Sequence, residues 1–574
     1  MTLKICSHKG SAVQSFLRFS LKKQTPFALL FLVATLLICP AMLLREIFNG
    51  FSSLGYIHRN DMDGYFAGYT TGIFLVSVLL LLVLLLVNFG FLFSKKAGDI
   101  YHALPLTRNQ LVFTRGIAAL AGALFNMTVG FLALCIVNFL PVMESVSLSL
   151  VLSTYFMSLL FIILLWAFSL VFVVCSGGYF DFIIALFAVN CGLPAIVAIF
   201  TNLFENSAEG LYSSYDSLIY TTPFAYTTYK LAAHADRYGE ANVLNIDRFT
   251  VLSFILCVLF TALLIYIVSR LFKIRKSETA GEAYSFKFMP HIIGFIISAV
   301  GGYIIGLVTT FNSFESLDFW LFFIVGALVC SVAFGAIATR GFKTVKPSFI
   351  RGSAAIAVML AAAILVSHGA KASANYIPKE DDIARIELND YEGIVFEDNF
   401  SVITEMHAQI AENINNDYHD NAQKEPEIIG NIDRFTLKYI LKNGRAVERN
   451  YFYHHICRDN LYDDMLAIMQ TEEFMSKYYN AAVSEKGYIT LTSYEYKGNG
   501  VQSLAIINMA EAKEFVKIYQ REMADADLGI FGEDCLCLYI DGDTHQALYI
   551  PTSFDETLAF LEGRLTPENE FYNK

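Results

Sequence analysis

Charge is what this sequence has least of: only 16% of its 574 residues are Asp, Glu, Lys or Arg, whereas 55% are hydrophobic. With a mean hydropathy of +0.49, that scarcity excludes an ordinary soluble protein and points to a chain that crosses a membrane many times. No G-x-x-x-x-G-K-[ST] stretch occurs, so the common loop that cradles nucleotide phosphates is missing. The long apolar stretches hold no Asp, Glu, Lys, Arg or His beyond edge residues such as His291 and His368. Ion-coupled carriers, proton relays and intramembrane metalloproteases need such groups at membrane depth, so their absence argues against all three. No repeat relates the first five stretches to the last four, which removes support for an inverted-repeat carrier.

Cysteine is present but not in a secreted disulfide pattern. Seven of the ten, Cys6, Cys39, Cys135, Cys175, Cys191, Cys257 and Cys330, fall in or near apolar stretches, where Cys is an ordinary small residue. Cys535 and Cys537 share a strand face and are poorly placed to bond each other, which leaves a bridge from Cys457 to one of them as an open alternative.

Nine stretches approach the roughly 20 apolar residues needed to span a hydrocarbon core of about 30 Å. They lie near 27–44, 69–93, 117–140, 149–175, 182–202, 249–270, 291–311, 319–339 and 352–368. The first is followed by eight more and reads as a signal anchor rather than a cleaved signal peptide. Lys and Arg concentrate in alternate loops: Lys4, Lys9, Arg18, Lys22 and Lys23; Lys95, Lys96, Arg108 and Arg115; Lys273, Arg275, Lys276 and Lys287; Arg340, Lys343, Lys346 and Arg351. That bias predicts a cytoplasmic N-terminus and leaves the segment after the ninth span outside. The turn near Ser176–Asp181 has no basic residue and is the weakest point of this topology. Asn88, Asn126, Asn138 and Asn190, polar within apolar stretches, are expected to bond between helices.

Residues 372–574 hold 37 of the 53 acidic and 17 of the 41 basic residues, a charge near −20. The rest of the chain carries 24 basic against 16 acidic residues. The predicted fold class is therefore a polytopic α-helical membrane protein of about nine transmembrane helices with a C-terminal extracellular α+β domain. Residues 1–26 read as an amphipathic cytoplasmic helix, with Val13, Phe16, Leu17 and Ser20 opposite Arg18, Lys22 and Lys23, suited to the inner membrane surface. Residues 27–271 form a six-helix unit, 272–371 a linker and three further spans, and 372–574 the acidic domain.

In that domain the spacing predicts strands at Ile383–Leu388, Phe435–Leu441 and Ala446–Tyr453, the last two forming a hairpin around Asn443-Gly444. Further strands are expected at Ile489–Tyr496, Ser503–Asn508, Leu536–Ile540 and Ala547–Ile550. Helices are expected at Val402–Ile414, Leu461–Tyr479, Ala510–Met523 and Asp555–Glu562. His407 reads as a surface or capping residue. His454 and His455 alternate faces of a strand and Asp541-Gly542-Asp543 is a turn, so neither suits a metal. The acidic surface fits either long-range attraction of cationic peptides or simple solubility and contact with a partner subunit.

Between the second and third spans lies the polar stretch Lys95–Arg108. From spacing alone it is a connector whose Pro105 ends a short helix. The string Asp99-Ile100-Tyr101-His102-Ala103-Leu104-Pro105-Leu106-Thr107-Arg108 resembles the loop between the second and third spans of ABC type-2 exporter permeases, where a Tyr-His-Ser-Leu-Pro-like motif meets the ATPase. The resemblance covers residues 10–275 and implies that the 94–116 loop is a coupling element. A short helix bearing Ile100, Tyr101 and Leu104 would dock in a groove on the ATPase, His102 and Arg108 would bond that partner, and Asp99 would favour the helix start.

It further implies a multi-pass permease in a bacterial plasma membrane, paired with a second copy or a related permease. ATP and Mg would be handled by a cytosolic ATPase subunit; this chain would bind no cofactor, catalyse no reaction and contact no nucleic acid. The added spans and outer domain resemble permeases of Gram-positive ABC systems, some linked to antimicrobial peptide resistance. A rival reading is a membrane-anchored sensor or scaffold that presents the outer domain and signals without transport; ATP-dependent solute movement separates the two.

Overall fold

The computed structural model describes the chain except residues 1–8, 46–58, 139–147, 209, 212–215, 237–247, 311–316, 342–344, 390–393, 398–399, 416–433, 453–461, 482–487, 495–501, 533–534, 542–544, 563 and 568–574. His454, His455, Cys6, Cys457 and Asp543, and the side chains of Asn138 and His102, lie outside the described residues. Two compact units emerge, one of Met1–Thr201 with Ser214–Ala362 and one of Asn202–Ser213 with Ala363–Lys574.

Among the described residues, nine helices are long and apolar enough to cross a membrane. They are α1 (Lys9–Ile38), α2 (Arg59–Phe89), α4 (Arg108–Asn138), α5 (Leu148–Cys175), α6 (Tyr179–Asn206), α8 (Arg248–Ile274), α9 (Met289–Thr310), α10 (Leu317–Thr339) and α11 (Val345–Ala374). Shorter helices lie between them, among them α3 (Lys95–His102) and α7 (Pro223–Asp236). The region near 149–202 is two helices, broken where Ser176–Gly178 leaves helical geometry. The residues expected to form an interfacial helix are the opening turns of α1, continuous with the first span. On this stretch Phe16 is half-buried against the helical core, and Ser20 and Gln24 are buried.

Asn126 and Asn88 inside this unit are paired between helices. Asn126 Nδ2 donates to Thr35 Oγ1 and Ser77 Oγ, each at 3.0 Å, and thereby joins α4 to α1 and α2. Asn88 bridges in the same manner, whereas Asn190 Nδ2 donates to Leu186 O of its own helix.

The second unit holds two five-stranded antiparallel sheets. Its strands are β1 (Gly210–Leu211), β2 (Ile383–Asn389), β3 (Ile394–Phe396), β4 (Arg434–Leu441), β5 (Ala446–Phe452), β6 (Tyr488–Tyr494), β7 (Gln502–Asn508), β8 (Cys535–Asp541), β9 (His545–Pro551) and β10 (Thr566–Pro567). Its helices are α12 (Phe400–Asn415), α13 (Tyr462–Met469), α14 (Glu472–Ala481), α15 (Met509–Ala524) and α16 (Asp555–Leu561). The sheet orders are β1-β5-β4-β2-β3 and β10-β7-β6-β8-β9. Hairpin, helix, hairpin therefore occurs twice, β2 and β6 each pairing both with the hairpin partner and with the strand after the helix.

One shared apolar core, including Ile386, Met406, Leu437, Phe515, Leu538 and Ile550, closes both halves. The expected helix Leu461–Tyr479 is two helices: Thr471 Oγ1 accepts from Phe474 N at 3.3 Å and starts α14. His407, expected at the surface, is wholly buried. Cys535 and Cys537, on adjacent same-face positions of β8, form no disulfide among the described residues.

Candidate functional site

The short α3 follows Ser94 in extended geometry, with no side-chain cap and no acidic residue in its first turn. Asp99 therefore sits in mid-helix, exposed, and not at the helix start. Leu104, half-buried, and Pro105, exposed, follow in a turn closed by Leu104 N to Tyr101 O at 3.3 Å and Leu106 N to Leu104 O at 2.7 Å. Thr107 then caps α4: its N–H donates to Gln110 Oε1 at 2.9 Å and its hydroxyl accepts from Gln110 N at 3.3 Å, a reciprocal capping box.

The two faces of α3 differ. Lys95, Lys96, Asp99 and Ile100 are exposed, Ile100 to 69%, while Gly98 is buried and Ala97 and Tyr101 pack on the helical core. Tyr101 and Ile100 thus do not share a docking face. The Tyr101 ring lies 4.7 Å from that of Phe91 and 6.1 Å from that of Phe16.

Arg115, just short of the predicted third span, is inside α4 and fully buried. Its guanidinium is 4.9 Å from the Tyr101 ring and 4.7 Å from the Phe16 ring, stacking that suits its planar, weakly hydrated charge. Arg115 Nη1 donates to Asn88 Oδ1 at 3.4 Å, Asn88 Nδ2 to Gln24 Oε1 at 2.7 Å, and Gln24 Nε2 to Ala118 O at 2.6 Å. Tyr101 of α3 therefore leans on a polar chain that reaches α1, α2 and α4. Arg115 Nε and Nη2 have no partner among the described residues.

Arg108 is committed to the protein's own backbone, its Nη1 donating to Lys273 O at 3.0 Å and Arg275 O at 2.8 Å. Arg275 in turn is buried and donates to Val174 O at 2.6 Å, Val173 O at 3.3 Å and Leu92 O at 3.0 Å, closing the ends of α5 and of the 3-10 turn Gly90–Phe93. Burial pulls its pKa down to about 10, so it is still a cation at neutral pH. The turn after α5 is tied to the linker beyond α8 by Gly177 N to Ala283 O and Ser285 N to Cys175 O, at 3.0 and 2.8 Å.

The sequence reading missed Arg115 because it lies outside the apolar run, and missed the backbone roles of Arg108 and Arg275 because loop cations ordinarily report only topology. Among the described residues no group of three His, Cys, Asp or Glu could hold a metal. Comparison with protein-family models, with curated proteins and with solved structures finds no match.

Proposed function

We propose that the chain is the permease subunit of an ABC transporter, an exporter energised by a separate ATPase that docks on α3 and the 94–116 loop. The carrying observation is the division of α3 into an offered face, with Ile100 and two lysines, and a rooted face, with Tyr101 stacked against Phe91 and Arg115. A partner that pushed α3 would displace Tyr101, and with it the Arg115–Asn88–Gln24 chain in three membrane helices. ATP and Mg belong to the partner, and a second permease subunit completes the path. The basic loops support a cytoplasmic N-terminus. Arg275 adds support, since it gathers the ends of the second, fourth and sixth apolar helices at one level.

The test is purification of the detergent-solubilised chain from its native membrane, with mass spectrometry for a copurifying polypeptide that carries a nucleotide-phosphate loop. Wild type retains it and Ile100→Asp loses it. Its absence from the wild-type preparation sinks the permease reading.

One observation favours the second reading, a sensor or scaffold: β1, four residues after α6, is a strand of the C-terminal sheet, so that domain is joined to two membrane helices and not to one. Solute movement that depends on ATP decides for the permease.

A further inference from the structure

The chain enters the C-terminal unit twice, after α6 and after α11, and β5 holds both arrivals. Gly210 and Leu211 of β1 pair with Asn450 and Arg449 of β5. The Arg449 side chain donates from Nη2 to the carbonyls of Ser373 and Tyr376, at the end of α11 and just beyond, and from Nη1 to Glu448 O at 2.9 Å. Gly210, at φ +76°, lies so close over the Tyr451 ring that any Cβ there would overlap it. Tyr451 is in turn fastened from behind: its hydroxyl is 2.7 Å from His407 Nε2, while His407 Nδ1 is 2.9 Å from the hydroxyl of Tyr439. All four side chains are buried, His407 and Tyr439 at 0%, Tyr451 at 2% and Arg449 at 4% exposure.

We infer that His407 is a proton sensor whose protonation loosens β5 and so frees β1 and the 373–376 segment together. The neutral imidazole has one donor and one acceptor nitrogen, so one tyrosine hydroxyl donates to the ring and the other accepts from it. In the imidazolium both nitrogens donate, so the hydroxyl that had donated must rotate its hydrogen away and accept from the ring instead. The added charge also lands beside the buried Arg449 cation, whose partners are carbonyls and whose Nε has none among the described residues. Around His407, α12 carries Glu405 and Glu412, β2 carries Arg385 and Glu387, and the turn before β2 carries Glu380, Asp381 and Asp382. The helix α13 carries Asp463 and Asp464, β4 carries Lys438, and β5 carries Glu448 and Arg449. Of these, Arg449 is the charge that acts on the ring.

Burial first, and Arg449 second, lower the His407 pKa from 6.5 to about 3. The open form therefore binds the proton more tightly, and the closed form loses stability as pH falls from 6.5 toward about 3. Exposure of the switch to external acid rests on the orientation proposed above; the switch itself does not.

The experiment is hydrogen exchange on the full-length protein in detergent at about pH 7 and about pH 4, corrected for the intrinsic pH dependence of exchange. Peptides containing Gly210–Leu211 and Ala446–Phe452 lose at least about tenfold in protection at the lower pH, while Tyr488–Tyr494 and Cys535–Asp541 hold theirs. In His407→Gln that acid response disappears. Because this variant could fold poorly, the exchange rate of the wild-type His407 ring C–H is followed as well, and it shows no titration between about pH 8 and about pH 5. Uniform loss across both sheets, unchanged protection at low pH, or ordinary titration of His407 overturns the proposal.

Discussion

Gly210 and Gly444 both have positive φ, +76° and +82°, yet their substitution has different consequences. At Gly444, in the β4–β5 turn, a Cβ meets nothing within 4 Å, so Gly444→Ala costs only the left-handed backbone penalty of about 1–2 kcal/mol. At Gly210 the same penalty is joined by overlap with the Tyr451 ring, which adds roughly 1–3 kcal/mol. Gly210→Ala should therefore lower the unfolding temperature of the C-terminal unit clearly more than Gly444→Ala, by about 5–10 °C in total, and scanning calorimetry of the two variants checks this.

Asn443-Gly444 was legible in the sequence because a hairpin turn is a local signal. Gly210 was not, because its need for glycine comes from a ring 241 positions away. His407 escaped for the same reason: nothing beside it in the chain announces Tyr439 and Tyr451. Arg115 is a third case. Arg115→Lys keeps the charge but not the plane that stacks between Phe16 and Tyr101, so it should behave like Arg115→Met and lose about 1–3 kcal/mol in detergent unfolding. Full rescue by Lys would mean that charge alone matters.

At the scale of elements, α3 presents two unlike faces. Neighbours on a helix point about 100° apart; here Ile100 is exposed while Tyr101 packs on the helical core. The observed division, with Lys95, Lys96, Asp99 and Ile100 outward and Ala97, Gly98 and Tyr101 inward, follows helical spacing. In the opening turns of α1, Phe16 stacks on Arg115 and packs on the helical core, and Ser20 is buried. Most elements of the C-terminal domain were legible to within two residues, because alternation and amphipathic spacing are local. The short strands β1, β3 and β10 were not, because two or three residues become a strand only through the edge they join. Two variants separate the faces of α3: Tyr101→Leu forfeits the ring contacts and lowers stability by about 1–2 kcal/mol, whereas Ile100→Asp stays within about 0.5 kcal/mol of wild type in the same thermal assay. Equal losses would contradict the two-faced arrangement.

For the whole molecule, the duplicated hairpin–helix–hairpin plan of the C-terminal unit shares shape but not residues, Ile403, Met406 and Ile410 of α12 standing where α15 has Ala512, Phe515, Val516 and Tyr519. A single sequence therefore conceals it. Connectivity tells more about how the chain crosses the membrane. The segment that leaves α6 reaches β1 within four residues, and β1 belongs to the sheet that follows α11. On the proposed nine-crossing topology the fifth and ninth apolar helices end on one side. The carbonyls bound by Arg275 and the ties from Gly177 and Ser285 gather the ends of the second, fourth and sixth helices. With the native cysteines replaced, single cysteines at the exposed positions Asn206 and Glu397 should react in intact cells with a membrane-impermeant maleimide. Cysteines at the exposed Lys96 and Lys276 should react only after permeabilisation. If Asn206→Cys and Glu397→Cys label from opposite sides, β1 cannot pair with β5 in the membrane-embedded protein; if all four label together in intact cells, the nine-crossing topology is wrong.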